Sequence, residues 1–211
     1  MRSFRTALMA LPLAAALLPL SRTSAETLGN ARVGFSAERI LIIDGKSYVG
    51  KMWHMPGEQR HEQVLPGLKP AFILRSGSAF GDVILPQLHT VIEFALPKEL
   101  SLLGDRSLLG KPVAEETVNG VATTKYAVDE YAPTGHAAGS LWLSRDGIPM
   151  KCDAIFKAGK GKPLTVHWEL RAVKIGAQDA GLFEIPQGYA KLPAEAAAPL
   201  LGMRLARPPA R

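Results

Sequence analysis

The sequence predicts a mainly β protein: one strongly curved antiparallel sheet of about ten strands with one or two short helices. Three observations predict it. Apolar and polar residues alternate with period two through much of the chain, dipeptides suited to tight hairpins separate the alternating runs, and helical periodicity is sparse.

Residues 1–25 have the layout of a secretory leader. Arg2 and Arg5 supply the positive start, Ala7 to Leu20 is uncharged and apolar apart from its two prolines, and Thr23-Ser24-Ala25 offers small residues for cleavage. That stretch is shorter than the roughly 20 residues a membrane-spanning helix needs. The expectation is therefore export, removal of the leader, and a mature chain that starts at Glu26. No cysteine lies near the cleavage site, so lipid attachment there is excluded. The single cysteine, Cys152, cannot form an internal disulfide, so stability must come from burial.

Cleavage leaves 186 of 211 residues, enough for one domain with a sizeable core, expected over residues 26–192. Residues 193–211 are rich in Ala, Pro and Arg and read as a flexible tail, because Pro199, Pro208 and Pro209 interrupt any helix. The leader carries three arginines and no acid, so the formal charge falls from +6 to +3. The tail, with Arg204, Arg207 and Arg211 against Glu195, holds most of the remaining excess. A nearly neutral body lacks the concentrated basic face of a nucleic-acid binder. No later segment is long and apolar enough to span a membrane as a helix.

Along the domain, Asn30 to Glu38 fits either a short helix or a first strand. Asp44-Gly45 then separates Arg39–Ile43 from Lys46–Met55, and Asn119-Gly120 separates Val113–Val118 from Val121–Tyr131. Gly and Asn accept positive φ at low cost, which a two-residue hairpin turn requires. Pro97 to Leu109 starts with proline and has apolar residues at helical spacing, so a short helix is expected there. Asp146-Gly147 divides Gly139–Ser144 from Ile148–Lys157, and Lys160-Gly161-Lys162 leads into Leu164–Lys174. The last two runs alternate clearly. Met150, Cys152, Ala154 and Phe156 share one face against Lys151, Asp153 and Lys157; Val166, Trp168 and Leu170 share one against His167, Glu169 and Arg171. Successive hairpins imply a single meandering sheet whose concave side must be filled by side chains, a lid or a ligand.

No catalytic or metal constellation stands out, so the expectation is a non-enzymatic protein without cofactor or metal. Ser76-Gly77-Ser78 lacks the spacing of a nucleophile turn, and the five histidines are not paired at metal-ligand spacing. His167 reads as a surface histidine and Cys152 as a buried, inert thiol. A carboxylate pair brought together by the fold leaves an undetected hydrolase as one alternative. The large apolar residues Trp53, Met55, Trp142, Met150 and Trp168 are the candidate ligand-lining set, because thioethers and indoles adapt to acyl chains. For any single one of them ordinary core packing is the simpler reading. The run Lys46–Met55 is rich in large residues on both faces, Tyr48 and Met52 on one and Val49, Trp53 and Met55 on the other.

Several motifs together carry a family resemblance. They are Gly45-Lys46-x-Tyr48-x-Gly50-Lys51-Met52-Trp53-x-Met55-Pro56-Gly57-x-x-Arg60, then Val118-Asn119-Gly120 with Thr124-Lys125-Tyr126, then Gly139-x-Leu141-Trp142-Leu143-Ser144-x-Asp146-Gly147-Ile148-Pro149-Met150-Lys151. The last is Phe183-Glu184-Ile185-Pro186-x-Gly188-Tyr189-x-Lys191. In this order, from Ile40 to Lys191, they resemble the LolA-like lipoprotein-carrier superfamily and its uncharacterised periplasmic relatives. The resemblance implies an unclosed β-barrel with a hydrophobic concave face that receives acyl chains. It departs at Met55-Pro56, where the carriers have a functional Arg-Pro pair; Arg60 follows within a polar run and reads as solvated. The function so implied is periplasmic binding of a lipid, acyl chain or lipoprotein-like cargo. The alternative is an envelope module that docks on a protein partner or a membrane without a ligand cavity.

Overall fold

The computed structural model describes residues 24–95, 108–132, 135–157 and 161–192. The expected leader, most of the expected helix at Pro97–Leu109 and the expected tail lie outside these residues. Leu108 and Leu109, the end of that expected helix, instead begin a strand.

Among the described residues thirteen strands form one sheet. In chain order the first seven are β1 (Glu26–Leu28), β2 (Phe35–Ile43), β3 (Lys46–Met55), β4 (Glu58–Gln63), β5 (Ala71–Arg75), β6 (Phe80–Leu85) and β7 (Thr90–Ala95). The others are β8 (Leu108–Val118), β9 (Val121–Ala132), β10 (Gly135–Ser144), β11 (Pro149–Lys157), β12 (Leu164–Ile175) and β13 (Ala190–Leu192). Their spatial order is β1-β8-β9-β10-β11-β12-β2-β3-β4-β5-β6-β7-β13. Two meanders, β8 to β12 and β2 to β7, join where β12 pairs with β2. The order does not close on itself, which makes the sheet an incomplete barrel. All pairs are antiparallel except β7–β13.

The turns form as the sequence expects. Asp44 and Gly45 have φ of 46° and 78°, and Asn119 and Gly120 have 49° and 83°. Two successive positive φ values give the hairpin twist that the flanking strands need. Phe35 to Glu38, left open between helix and strand, lies in β2.

Strand register sorts the side chains onto two faces. One face carries Phe35, Ala37, Met52, Val83, Leu85, Ile92, Leu141 and Leu170, all buried. We call it the inner face. The opposite side of the central strands presents Glu38, Val49, Lys51, Ile155 and Arg171, all exposed. At one end the β8–β9 hairpin tip folds back, and Asn119 donates to the Leu170 carbonyl at 2.8 Å. Val118 there joins Phe35, Met52, Trp142, Met150 and Leu170 in one core cluster.

Strands β5 to β7 are covered on both sides. Phe72 and Phe94 pack with Val83, Leu85 and Ile92 on the inner face. Ala71, Ile73, Ile84 and Val91 pack on the outer face under Ile185 and Tyr189. The segment that carries those two residues is held by arginines. Arg60 donates to the Leu182 carbonyl and Arg75 to that of Phe183, each at 2.8 Å. Arg75 also pairs with Glu58 and Asp82, and Arg60 with Glu62. Arg60 is thus not solvated as expected: its side chain is 15% exposed and ties β4 to the C-terminal segment. An Arg60→Ala variant is expected to lose about 1–3 kcal/mol of stability, as for a hydrogen bond to a charged donor. Urea unfolding reads this as a lower midpoint; an unchanged midpoint refutes the clasp.

Candidate functional site

At the centre of the inner face the sheet's own side chains seal only in part. Register places six residues from six adjacent strands directly opposite one another: Tyr126, Leu141, Cys152, Trp168, Leu41 and Tyr48. Leu141 is buried, whereas the other five retain accessible surface although they face the core side. The thiol of Cys152 is inert: burial, reinforced by the neighbouring Asp153 charge, pushes it up to about 11.

A polar island adjoins this apolar row. The next inward position on β2 is Arg39, opposite Gly50 on β3, which in turn faces Gln63 on β4. Gly50 has no side chain to obstruct the crossing, so the guanidinium reaches over β3 to β4. Its Nη2 donates to Gln63 Oε1 at 2.9 Å and its Nη1 lies 2.7 Å from His61 Nδ1. Room at Gly50 is tight from the backbone side also, where a Cβ would stand 2.0 Å from the Glu62 carbonyl oxygen. His61 Nε2 lies 2.8 Å from Gln59 Oε1. Guanidinium only donates, so His61 accepts at Nδ1 and carries its proton on Nε2, which donates to Gln59. His54, one row further, approaches the Val33 carbonyl with Nδ1 at 3.0 Å and stacks on Phe35.

Charge on the island comes from Arg39. Burial lowers its pKa to about 10, still far above neutrality. Burial first, then the charge of Arg39 and the nearby His54, hold His61 well below its ordinary value and therefore neutral.

The five residues expected to line a cavity do not form one surface. Trp168 lies in the inner apolar row and bridges two core clusters. Trp142 and Met150 are buried with each other in the end cluster, 3% and 0% exposed. The Trp142 indole donates to Glu116 at 2.7 Å, and the ammonium groups of Lys125 and Lys151 stand 4.8 and 4.4 Å from its centroid. Trp53 and Met55 take the outer phase of β3, opposite Arg60 and Glu58. Sequence reasoning missed Arg39, His61, Gln59 and Gln63. A signal existed for one of them: Arg39 is a charge in phase with Phe35, Ala37 and Leu41.

An open pocket of about 380 Å3 lies elsewhere, mainly on the outer side of β10 to β12, where Ile42, Gly139, Asp153, Ile155, Thr165 and His167 meet. Its Asp153 is engaged by His167 and by Lys151, the latter at 3.0 Å. Burial raises the Asp153 pKa, but these partners outweigh it and keep the carboxyl below its ordinary value. The Thr165 hydroxyl donates to Asp44 at 3.2 Å, so the pocket presents an ion-pair network without a free nucleophile among its lining residues. Among the described residues no group of three His, Cys, Asp or Glu could hold a metal.

No protein-family model and no curated protein matches the sequence. Among solved structures the chain is similar in fold to an uncharacterized conserved protein from Thermus thermophilus, with a TM-score of 0.50 and 11% identity, covering 76% of this chain and 90% of that one. Similar chains also include MucB, with a TM-score of 0.42 and 16% identity over 76% of this chain and 60% of that one. A LolA superfamily protein from Nitrosomonas europaea has a TM-score of 0.40 and 8% identity, over 74% and 92%.

The neutral His61 has a consequence for stability. Its folded pKa is depressed, so its contribution is fully present above the unfolded value near 6.5 and is lost as the pH falls below that toward the folded value. Urea midpoints of the wild type are expected to drop between pH 7 and pH 5. In His61→Gln, which keeps an acceptor for Arg39, the drop is expected to shrink, leaving the part due to His54, whose pKa burial also lowers. Equal slopes in both proteins refute this assignment.

Proposed function

We propose that the protein binds an apolar molecule, a lipid or acyl chain, non-covalently along the inner face of its curved sheet, after export by its N-terminal leader. One observation carries the reading: the row from Tyr126 through Trp168 to Tyr48 faces the core side, and every residue in it but Leu141 is only half-buried, even where Tyr126, Cys152 and Trp168 pack on a core cluster. Apolar side chains on the core side of a sheet are ordinarily sealed by partners. A row that is only partly sealed leaves apolar surface that a ligand could cover. Six strands at about 4.8 Å spacing make it about 24 Å long, the scale of an extended acyl chain.

Burial supplies the affinity. Each methylene removed from water contributes about 0.8 kcal/mol, so a C16 chain gains on the order of 12 kcal/mol gross before the costs of association. Capture and release need no chemistry, in keeping with an inert Cys152 and an Asp153 already held in ion pairs. Docking of a protein by strand addition has less support, because both edges of the described sheet are strands of three residues.

Delipidated mature protein, incubated with an envelope lipid extract and examined by native mass spectrometry, is expected to acquire lipid-sized adducts. Trp168→Ala is expected to bind about tenfold more weakly, a loss of about 1.4 kcal/mol. Deletion of residues 194–211 is expected to leave uptake intact. A protein that takes up no lipid overturns the reading.

A further inference from the structure

The polar island has an electrostatic defect. Arg39 is a cation set into the core side of the sheet, and both of its hydrogen-bond partners, His61 and Gln63, are neutral. Among the described residues no carboxylate forms an ion pair with it. The acids in register around it, Glu38 on β2 itself, Glu169 on the adjacent β12 and Glu62 on β4, are all in the opposite phase and so point to the outer face; there Glu62 is engaged by Arg60 and Glu169 by Arg171. Taking a lone charge out of water costs several kcal/mol even after relaxation, and proteins ordinarily offset that with a counter-charge.

The island also has unused donors. Arg39 Nε and Gln63 Nε2 are both buried and have no hydrogen-bond partner. The Gln63 amide cannot be turned around to cure this, because its Oε1 must face the donating guanidinium. The two orphan donors belong to side chains already joined to each other, so they are neighbours. Both are donors and the local charge is positive. What complements them is an oxygen that only accepts and carries negative charge; water could satisfy the hydrogen bonds but would leave the charge uncompensated.

The island's position gives the anion its context. Arg39 is two residues from Leu41, on the same face of the same strand, about 7 Å from the apolar row. An anionic group held at Arg39 therefore has the acyl-chain row beside it.

We propose that Arg39 and Gln63 form a headgroup site, which selects anionic amphiphiles by taking a carboxylate or phosphate oxygen onto Arg39 Nε and Gln63 Nε2 while the chain lies along the Trp168–Leu41–Tyr48 row. This rests on the apolar-ligand reading above and narrows it: the ligand is a charged amphiphile, not a neutral lipid. His61 positions the guanidinium and stays neutral as it does so.

Three C12 probes test it by calorimetry with the mature protein at pH 7.5: dodecanoate, dodecyl phosphate and dodecan-1-ol, each below its aggregation threshold. The first two are expected to bind at least tenfold more tightly than the alcohol. Which of the two is tighter distinguishes a carboxylate from a phosphate ligand. In Arg39→Met the ratio of anion to alcohol affinity is expected to fall toward one. Gln63→Glu, which supplies an internal counter-charge and so protects against misfolding, is expected to lower the same ratio. Circular dichroism checks that each variant is folded. Equal binding of all three probes by the wild type overturns the headgroup site and leaves the apolar-ligand reading standing; so does an anion preference that survives Gln63→Glu in the folded variant. Binding of none of the three overturns the apolar-ligand reading itself.

Discussion

Antiparallel register is the constraint on which the rest of this structure depends. Side chains alternate across a strand with a period of two, so a pairing fixed by one tight turn determines the facing of every residue in both strands. Asp44-Gly45 sets Ala37 against Met52 and Arg39 against Gly50. β12 extends the same phase to Trp168 and Leu170, and β4 extends it to His61 and Gln63. From these few registrations follow an inner face with an apolar row, a polar island and two flanking clusters. A slip of one residue in β2 would send Arg39 to solvent and bring Glu38 into the core.

The curved sheet is unevenly covered, and the proposed site lies between two covered regions. Strands β5 to β7 are packed on both faces because the segment that carries Ile185 and Tyr189 folds under them, clasped by Arg60 and Arg75. The end of β10 to β12 is closed by the β8–β9 hairpin tip. Between these two closed regions lies the centre of the inner face, where Trp168, Leu41 and Tyr48 stay accessible. There the sheet also carries a half-buried cation, Arg39, whose Nε is buried and whose hydrogen-bond partners are neutral. A low-polarity setting makes that cation costly alone and strongly attractive to an anion, for the same reason.

Parts of this were legible in the chain and parts were not, for identifiable reasons. β11 and β12 were clear because apolar and charged residues alternate through Met150 to Lys157 and Leu164 to Arg171. β4 was illegible because Glu58 to Gln63 contains no apolar residue, so no hydrophobic period marks a strand whose inward positions are Gln59, His61 and Gln63. β6 and β7 were obscured differently: Val83, Ile84 and Leu85 are buried in succession, since both faces are covered, and a continuous apolar run has no period. Trp53 and Met55 were placed correctly on the phase opposite Met52. Phase alone, however, did not tell which side of β3 is the core side. Trp142 looked like a ligand contact by size, but its partners Glu116, Lys125 and Lys151 are neighbours only across strands.

By itself the sequence determined the class of fold, the positions of the hairpins and the two phases of the alternating strands, because each depends on residues close together in the chain. Tertiary structure alone decided which phase is inner, where the sheet is sealed, and that Arg39, Gln63 and His61 meet across a glycine. Those contacts join two strands, across a third, whose own sequences say nothing of one another, and a hydrogen bond between residues more than twenty positions apart is fixed by pairing register rather than by local propensity.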